Sequence, residues 1–327
     1  MEQAASSEGS VLSLLQKILP RSARRSAGHA GVVLGEDSFA LVVVRRDDGG
    51  KPSIDHCRVH PAHGAVGGRL RAVLEKLGAR SAATCAVVDA DDYQVVQVEA
   101  PDVLPSEMRA AVRWRLRDAI SFKVDDAAVD VFEIPESARR TQTRMLFAVA
   151  ARSAAVERLT STLQPAAKGF YAIDIPELCL RNVSALLPQD DKGVAMLALN
   201  ENYAQLVMTR QGMMYLTRRI DTERRFEPHA QTRGEGELDA GAMALELQRS
   251  LDYYESHYDQ TPIGDLVIAP GGERAERLAA ALRNEISLRV SVLDVREICK
   301  VYKSGELVTD WPSLMALGAA LRTESAE

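Results

Sequence analysis

Two stretches of this chain read alike, and each opens one of its halves. "GVVLGEDSFALVVVRR" (31–46) and "VAMLALNENYAQLVMTRQGMMYLTRRI" (194–220) are runs of apolar, often β-branched residues broken by short polar turns. Such runs read as hairpins. Their recurrence suggests an internal duplication, and therefore a chain of two lobes. The length of 327 residues fits two domains or one large two-lobed unit.

Helices and strands alternate after each hairpin set. "PSIDHCRV" supplies a third strand, with turns expected at Gly35–Asp37 and Asp48–Gly50. Gly68–Leu77 reads as a helix, with Leu70, Val73, Leu74 and Leu77 on one face. "ATCAVVDA" is a short buried strand. Residues 92–164 follow as a β-α-β-β-α block: the strand "YQVVQVEA", a helix over Pro105–Phe122, the strands "AAVDVFEIP" and "RMLFAVAA", and a helix over Ala154–Leu163. Met108, Val112, Leu116 and Ile120 recur at i+4 along the first of these helices, which places them on its core side. "GFYAIDI" returns as a strand, and Pro176 opens a helix through Leu187. In the second half a polar loop over 221–239 precedes a strong helix over Asp239–Tyr258. The strand Leu266–Ala269, the helix Glu273–Asn284, the strand "LRVSVLD" and a last helix over Pro312–Arg322 complete the chain. Strands interleaved with helices in this way define an α/β class.

Composition narrows the function. Hydrophobic residues make up 46%, enough for a sizeable core. A net charge of −6 and aromatics at 5% argue against a general nucleic-acid binder, which needs clustered positive charge and stacking platforms. Cys57, Cys85, Cys179 and Cys299 form no Cys-x-x-Cys pair, a usage that fits a reducing compartment. No apolar run approaches the ~18 residues of a spanning helix, and no secretory signal is visible, so a cytoplasmic location is expected. Residues 1–28 read as a flexible or amphipathic leader. Val11, Leu12, Leu15, Ile18 and Leu19 share one helix face beside Lys17, Arg21, Arg24 and Arg25. That segment suits a helix packed on its own domain, a disordered leader, or a contact with acidic lipid or a partner.

Local catalytic signatures are missing. The chain has no Gly-x-Ser-x-Gly, no His-Glu-x-x-His and no Walker A loop. His56, Cys57, His60 and His63 crowd "HCRVHPAH", but their spacing matches no zinc pattern and reads as a strand edge entering a loop. The arginine-rich stretches Arg109–Arg117 and Arg218–Arg225 read as solvated faces. Gly271 and Gly272 stand at the strand-to-helix turn of "LVIAPGGERAERLAAAL", where a tight turn or a close ligand would call for glycine.

"LELQRSLDYYESHYDQTPIGDLVIAPGG" and the closing "WPSLMALGAALR" carry a family likeness. They resemble the PilM family of actin-like proteins of type IV pilus systems, and more closely the MshI proteins of MSHA-type pili. That family reads "EIQRSLDYY", a strand, a glycine pair, a helix, and finally a "GLALR"-type helix, matched here by Gly318, Ala319, Ala320, Leu321 and Arg322. "MRAAVRWRLRDAISFKVDDAAVDVFEI" is similar to the family's "IRWEAEQYIPFPLEE" region, and "IDIPELCLRN" to its lobe-linking helix. The likeness covers roughly residues 30–323, and the order of the motifs is its most specific part.

The resemblance implies an actin-like (ribonuclease H-like) two-lobed α/β fold with a small α+β inserted subdomain. The first lobe would span 29–190, with the insertion at 91–160. The second, shortened, would span 191–327, with its last helix packing back on the first. Gly271 and Gly272 would be a residual adenosine motif. The departures imply a degenerate nucleotide site. Val33 and Ala40 replace the acid and lysine of the family's first phosphate loop. Ala198 and Asn200 replace the aspartate and glycine of the second. Glu36 and Asp37 put negative charge at a loop tip, which repels a triphosphate. The expectation is a non-enzymatic scaffold with no catalytic residues, no metal and no cofactor beyond weak ATP binding. Its partners would be the cytoplasmic tail of a PilN-like (MshJ-like) membrane protein and other platform proteins at the inner membrane. Arg113, Trp114 and Arg117 are the candidate partner-binding residues. A nucleotide-binding actin-like ATPase and a PilM-like component of a type II secretion or competence system are the alternatives.

Overall fold

The structure, a computed structural model, describes residues 28–46, 50–135, 144–222, 238–258, 260–301 and 308–323. Most of the expected leader, of the turn at 48–50 and of the polar loop at 221–239 lies outside the described residues.

β1 (His29–Leu34), β2 (Ser38–Arg45) and β3 (Ser53–Pro61) form an antiparallel meander. α1 (Val66–Leu77) then carries the chain back, so that β4 (Ala83–Val87) pairs parallel with β1. A separate three-stranded sheet follows, built from β5 (Tyr93–Glu99), β6 (Ala127–Glu133) and β7 (Met145–Arg152) in the order β5-β7-β6. α2 (Pro105–Leu116) covers it, setting Val112 and Leu116 against Val98, Leu146, Ala148 and Ala150. The helix stops at Leu116, short of the expected Phe122. The amide of Ser121, which would have to bond back along a longer helix, donates instead to Gln94 Oε1 at 2.7 Å. Ile120 and Phe122 still pack on the same small core.

α3 (Ser153–Ala166) and β8 (Phe170–Asp174) return to the first sheet, where β8 pairs parallel with β4. α3 lies in this sheet's helical layer: Leu159 and Leu163 share a core with Leu70 and Leu74 of α1. α4 (Pro176–Ser184) crosses to the second half. There β9 (Val194–Leu199), β10 (Tyr203–Arg210) and β11 (Met213–Asp221) repeat the antiparallel meander. α5 (Ala240–His257) leads to β12 (Asp265–Ala269), parallel to β9, and α6 (Glu273–Leu282) to β13 (Arg289–Val292), parallel to β12. The orders β3-β2-β1-β4-β8 and β11-β10-β9-β12-β13 are the same plan twice. The sequence showed only the hairpin half of that repeat.

Strand composition follows from burial on two faces. In β2, Phe39, Leu41 and Val43 face the core shared with α1 and α3, while Ala40, Val42 and Val44 face the other core. A strand covered on both sides reads as a continuous apolar run. "VAMLAL" of β9, buried at every position, is the same case.

The last segment ties the halves together. α7 (Val295–Ile298) leads into β14 (Lys300–Val301), a short strand that pairs parallel with β3 at the edge of the first sheet. It is too short to show a period and was not foreseen. α8 (Trp311–Ala320) is capped by Asp310, whose carboxylate accepts from the Ser313 amide at 2.7 Å. It is buried on every side from Ser313 to Ala320, against β1 and α4. Small residues permit this. A Cβ on Gly31 would lie 1.8 Å from the Ala316 carbonyl oxygen, and one on Gly318 2.3 Å from that of Cys179. Asn182 Nδ2 donates to the Gly318 carbonyl at 2.9 Å across the same crossing.

These contacts give a paired test. Gly318→Ala puts a methyl group inside a backbone contact and is expected to lower stability by about 3 kcal/mol or to prevent folding. Gly68→Ala, in α1 with nothing within 4 Å of its added carbon, is expected to raise stability by about 0.5–1 kcal/mol. Urea denaturation of both variants reads the difference directly.

Candidate functional site

In open α/β sheets, ligands gather at the carboxyl ends of the parallel strands. Among the connections that stand there are the turns β1–β2, β9–β10 and β12–α6. The two hairpin turns close in the same manner. The Gly35 amide donates to the Ser38 carbonyl at 2.8 Å, and the Asn200 amide to the Tyr203 carbonyl at 2.9 Å. Each turn thus bonds to itself and carries acids at its tip, Glu36 and Asp37 in the first and Glu201 in the second. The second turn is also clasped from outside. Arg274, in the first turn of α6, donates to the Asn200 carbonyl at 2.7 Å and to that of Glu201 at 3.5 Å.

Gly271 and Gly272 have separate reasons. A Cβ on Gly271 would lie 2.9 Å from the Leu293 carbonyl oxygen, so packing alone calls for glycine there. Gly272 has φ 142°, a conformation that favours glycine, and faces open space. The helix it begins carries Glu273 and Glu276 in its first turn. These occupy the positive end of the helix dipole with negative charge.

The positions that the family resemblance assigns to metal-holding acids are Val33, partly buried against the core, and the fully buried Ala198, neither of which has a side chain able to ligate a metal ion. Among the described residues, no group of three or more His, Cys, Asp or Glu side chains could hold a metal ion.

Beneath the turns lies a polar layer that sequence reasoning missed. Glu177 of α4 accepts from the Tyr93 hydroxyl at 2.6 Å. Burial raises its pKa against the pull of that hydrogen bond. Asp174 at the end of β8 meets Arg322 at 2.9 Å, and burial raises its pKa against the guanidinium's pull. Tyr203 packs edge-on to Trp311, with Arg219 over its ring at 3.9 Å. Burial pushes the Tyr203 hydroxyl up to about 12. The available signal was the pair of acids in "IDIPEL", charged residues in a segment otherwise apolar enough to be buried.

The partner candidates divide. Trp114 is 69% exposed, with the Arg117 guanidinium 4.3 Å from its ring centre. Arg113 points the other way, donating to the carbonyls of Val124 at 2.7 Å and Ala127 at 2.8 Å. It acts as a strut inside the small domain.

His56 and His60 lie on one face of β3 with rings 5.2 Å apart, and His60 also stacks on Phe39 at 5.0 Å. Cys57 points to the opposite face, into the core, and His63 sits in the following turn. The alternation of the strand therefore separates the four residues of the cluster.

No helix among the described residues is long and apolar enough to cross a membrane.

Two duplicated sheets, a small domain inserted after the fourth strand of the first, and helices crossing between them define a two-lobed actin-like α/β protein. Its form is PilM-like. The chain is similar to one solved as a PilM–PilN type IV pilus biogenesis complex, at 19% identity and a TM-score of 0.62, over 91% of this chain and 98% of that one. Two further structures have a TM-score of 0.49. One is the cytoplasmic domain of EpsL, an inner-membrane component of the type II secretion system of Vibrio cholerae, at 12% identity over 90% of this chain and 96% of that one. The other is a Bacteroides thetaiotaomicron protein with an actin-like ATPase fold, at 8% identity over 92% and 98%. No protein-family model and no curated protein sequence matches the chain.

The histidine pair generates a pH prediction. Burial, with the charges of His60 and Arg58, lowers the His56 pKa from 6.5 to about 4. The unfolded chain therefore takes up the proton first, and stability falls as pH drops from about 6.5 towards 4. His56→Gln is expected to flatten that part of the profile in thermal melts, while leaving the melting temperature above pH 7 within a few degrees of wild type.

Proposed function

We propose that this chain is a PilM-like scaffold of a type IV pilus assembly platform, of the MshI kind that serves MSHA-type pili. It binds the cytoplasmic tail of a PilN-like (MshJ-like) membrane protein and sits at the cytoplasmic face of the inner membrane beside other platform proteins. It does not hydrolyse ATP. In the division proposed here, the first lobe with its inserted domain presents the partner site, and the second lobe with α8 braces it.

The observation that carries this reading is the exposed Trp114 beneath Arg117 on the inserted domain. A large exposed ring next to a guanidinium couples apolar area to charge-assisted hydrogen bonds, the usual composition of an interface anchor. The domain bearing it belongs to a fold shared with a chain solved in a PilM–PilN complex. Two self-closed acidic turns, with Val33 and Ala198 beside them, support the absence of catalysis.

Trp114→Ala and Arg117→Glu are each expected to weaken binding of a PilN-like tail peptide by about tenfold or more, with circular dichroism and melting temperature unchanged. Unaltered affinity in both variants would place the interface elsewhere. Calorimetric titration with Mg-ATP is expected to show weak or no binding, and turnover is expected to stay at background. Turnover that Gly272→Trp abolishes would overturn the non-enzymatic reading.

A further inference from the structure

Two sheet edges face one another across the cleft between the small sheet and the second lobe. β5 ends the three-stranded sheet, and β11 ends the five-stranded sheet among the described residues. Consecutive residues of each, Gln94–Val95–Val96 and Thr217–Arg218–Arg219, line one cavity of about 440 Å³. Side chains of a strand alternate between faces, so three neighbours in a row reach a cavity that runs along the strand's edge. Backbone as well as side chain therefore fronts this space. A second cavity of about 240 Å³ continues it past Gln97, Leu216 and Tyr253.

The charge in the cleft is mainly positive, and its contacts with carboxylates are long. Arg152 lies over the Phe122 ring at 4.5 Å. Arg218 reaches Glu246 at 3.5 Å. Arg219 reaches Asp91 at only 3.7 Å, and that carboxylate is 87% exposed. The exposed, long Asp91–Arg219 pair contributes little and exchanges readily, whereas the Glu246 side chain that meets Arg218 is mostly buried and Arg219 also lies over the Tyr203 ring. Glu177, the cleft's buried acid, is already engaged by Tyr93.

A free anion would use the arginines and leave the strand edges unpaired, whereas an acidic chain would use both. We infer that this cleft binds an extended acidic polypeptide segment, which adds as a strand to the β11 edge and sets its carboxylates on Arg152, Arg218 and Arg219. Main-chain hydrogen bonds supply the affinity and the guanidiniums the selectivity. A carboxylate of the incoming chain takes the place of Asp91 on Arg219. The contacts Asp91–Arg219 and Tyr253–Gln97, the latter at 3.3 Å, stand at opposite ends of the cleft. Between these contacts β5 runs extended from Tyr93 to Gln97, about 13 Å, so the segment has about four to six residues. Neither cavity includes Trp114, and the inference does not rest on the pilus reading.

Fluorescence anisotropy on the full chain tests this. The probe is a labelled peptide of about eight alternating Val and Glu residues, beside a Val–Lys counterpart and a Val–Glu copy N-methylated at alternate positions. The Val–Glu peptide is expected to bind with a Kd of roughly 10–100 µM. The other two are expected to bind about tenfold more weakly or worse. Arg218→Gln and Arg152→Gln, made separately, are each expected to lower affinity by about fivefold or more with an unchanged melting curve, while Arg117→Gln leaves it unchanged. Should one cleft variant fail to fold, the other decides. No binding of the Val–Glu peptide at about 1 mM, equal binding of the methylated copy, or indifference to both cleft arginines would overturn the inference. So would displacement of the peptide by micromolar inorganic tripolyphosphate combined with tight binding of the methylated copy, which would mark an anion site.

Discussion

Backbone meets backbone where α8 lies between β1 and α4. The Ala316 carbonyl sits where a side chain on Gly31 would be, and the Cys179 carbonyl where one on Gly318 would be. Close-packed interiors have no slack to absorb even one methylene here. Several other contacts between the lobes converge on this crossing. α4 leaves the first sheet directly after Asp174, and Arg322, just past α8, returns to that same carboxylate. Arg46 of the first lobe donates to the Leu321 carbonyl beside it. The turns of the cleft therefore stand on a rigid pivot rather than on separately folded halves.

The polar layer around the pivot fills part of the space between the lobes and lines the cavity beside it. Tyr93, Glu177, Tyr203, Arg219 and Trp311 satisfy and pack one another where the two lobes meet. Buried polar groups are costly unless paired, and a paired set specifies one arrangement. The arginine that reaches the second turn, Arg274, bonds to its backbone and not to open space. The cleft's remaining room lies to the side, towards the inserted domain.

Much of the fold was legible because its pattern is local. Apolar runs of strand length and i+4 stripes such as Met108, Val112, Leu116 and Ile120 reflect burial one element at a time. Helix starts at Pro105 and Pro176 were readable from proline's fixed φ. What escaped depends on distant partners. The end of α2 is set by a glutamine on another strand, and β14 exists only because β3 offers it an edge. Arg113 and Trp114 are neighbours in sequence, yet one braces the domain from within and the other faces solvent. The glycine pair was recognisable as special, but only the structure separates Gly271, held by the Leu293 carbonyl, from Gly272, held by its own backbone angle.

The pivot also sets an order of events during synthesis. β1 leaves the ribosome well before α8, the helix that covers it. About 280 residues separate them, and at ~5–20 residues per second the gap is roughly 15–60 s. Over that interval the face of the first sheet that α8 will cover, including Ala40, Val42 and Val44, has no helix on it, and the β3 edge lacks β14. An uncovered apolar face beside an open edge is the kind of surface that associates wrongly. In a nascent chain of this protein that exposure lasts until α8 emerges, so the time spent with the face open is set by the length of chain between β1 and the helix that covers it.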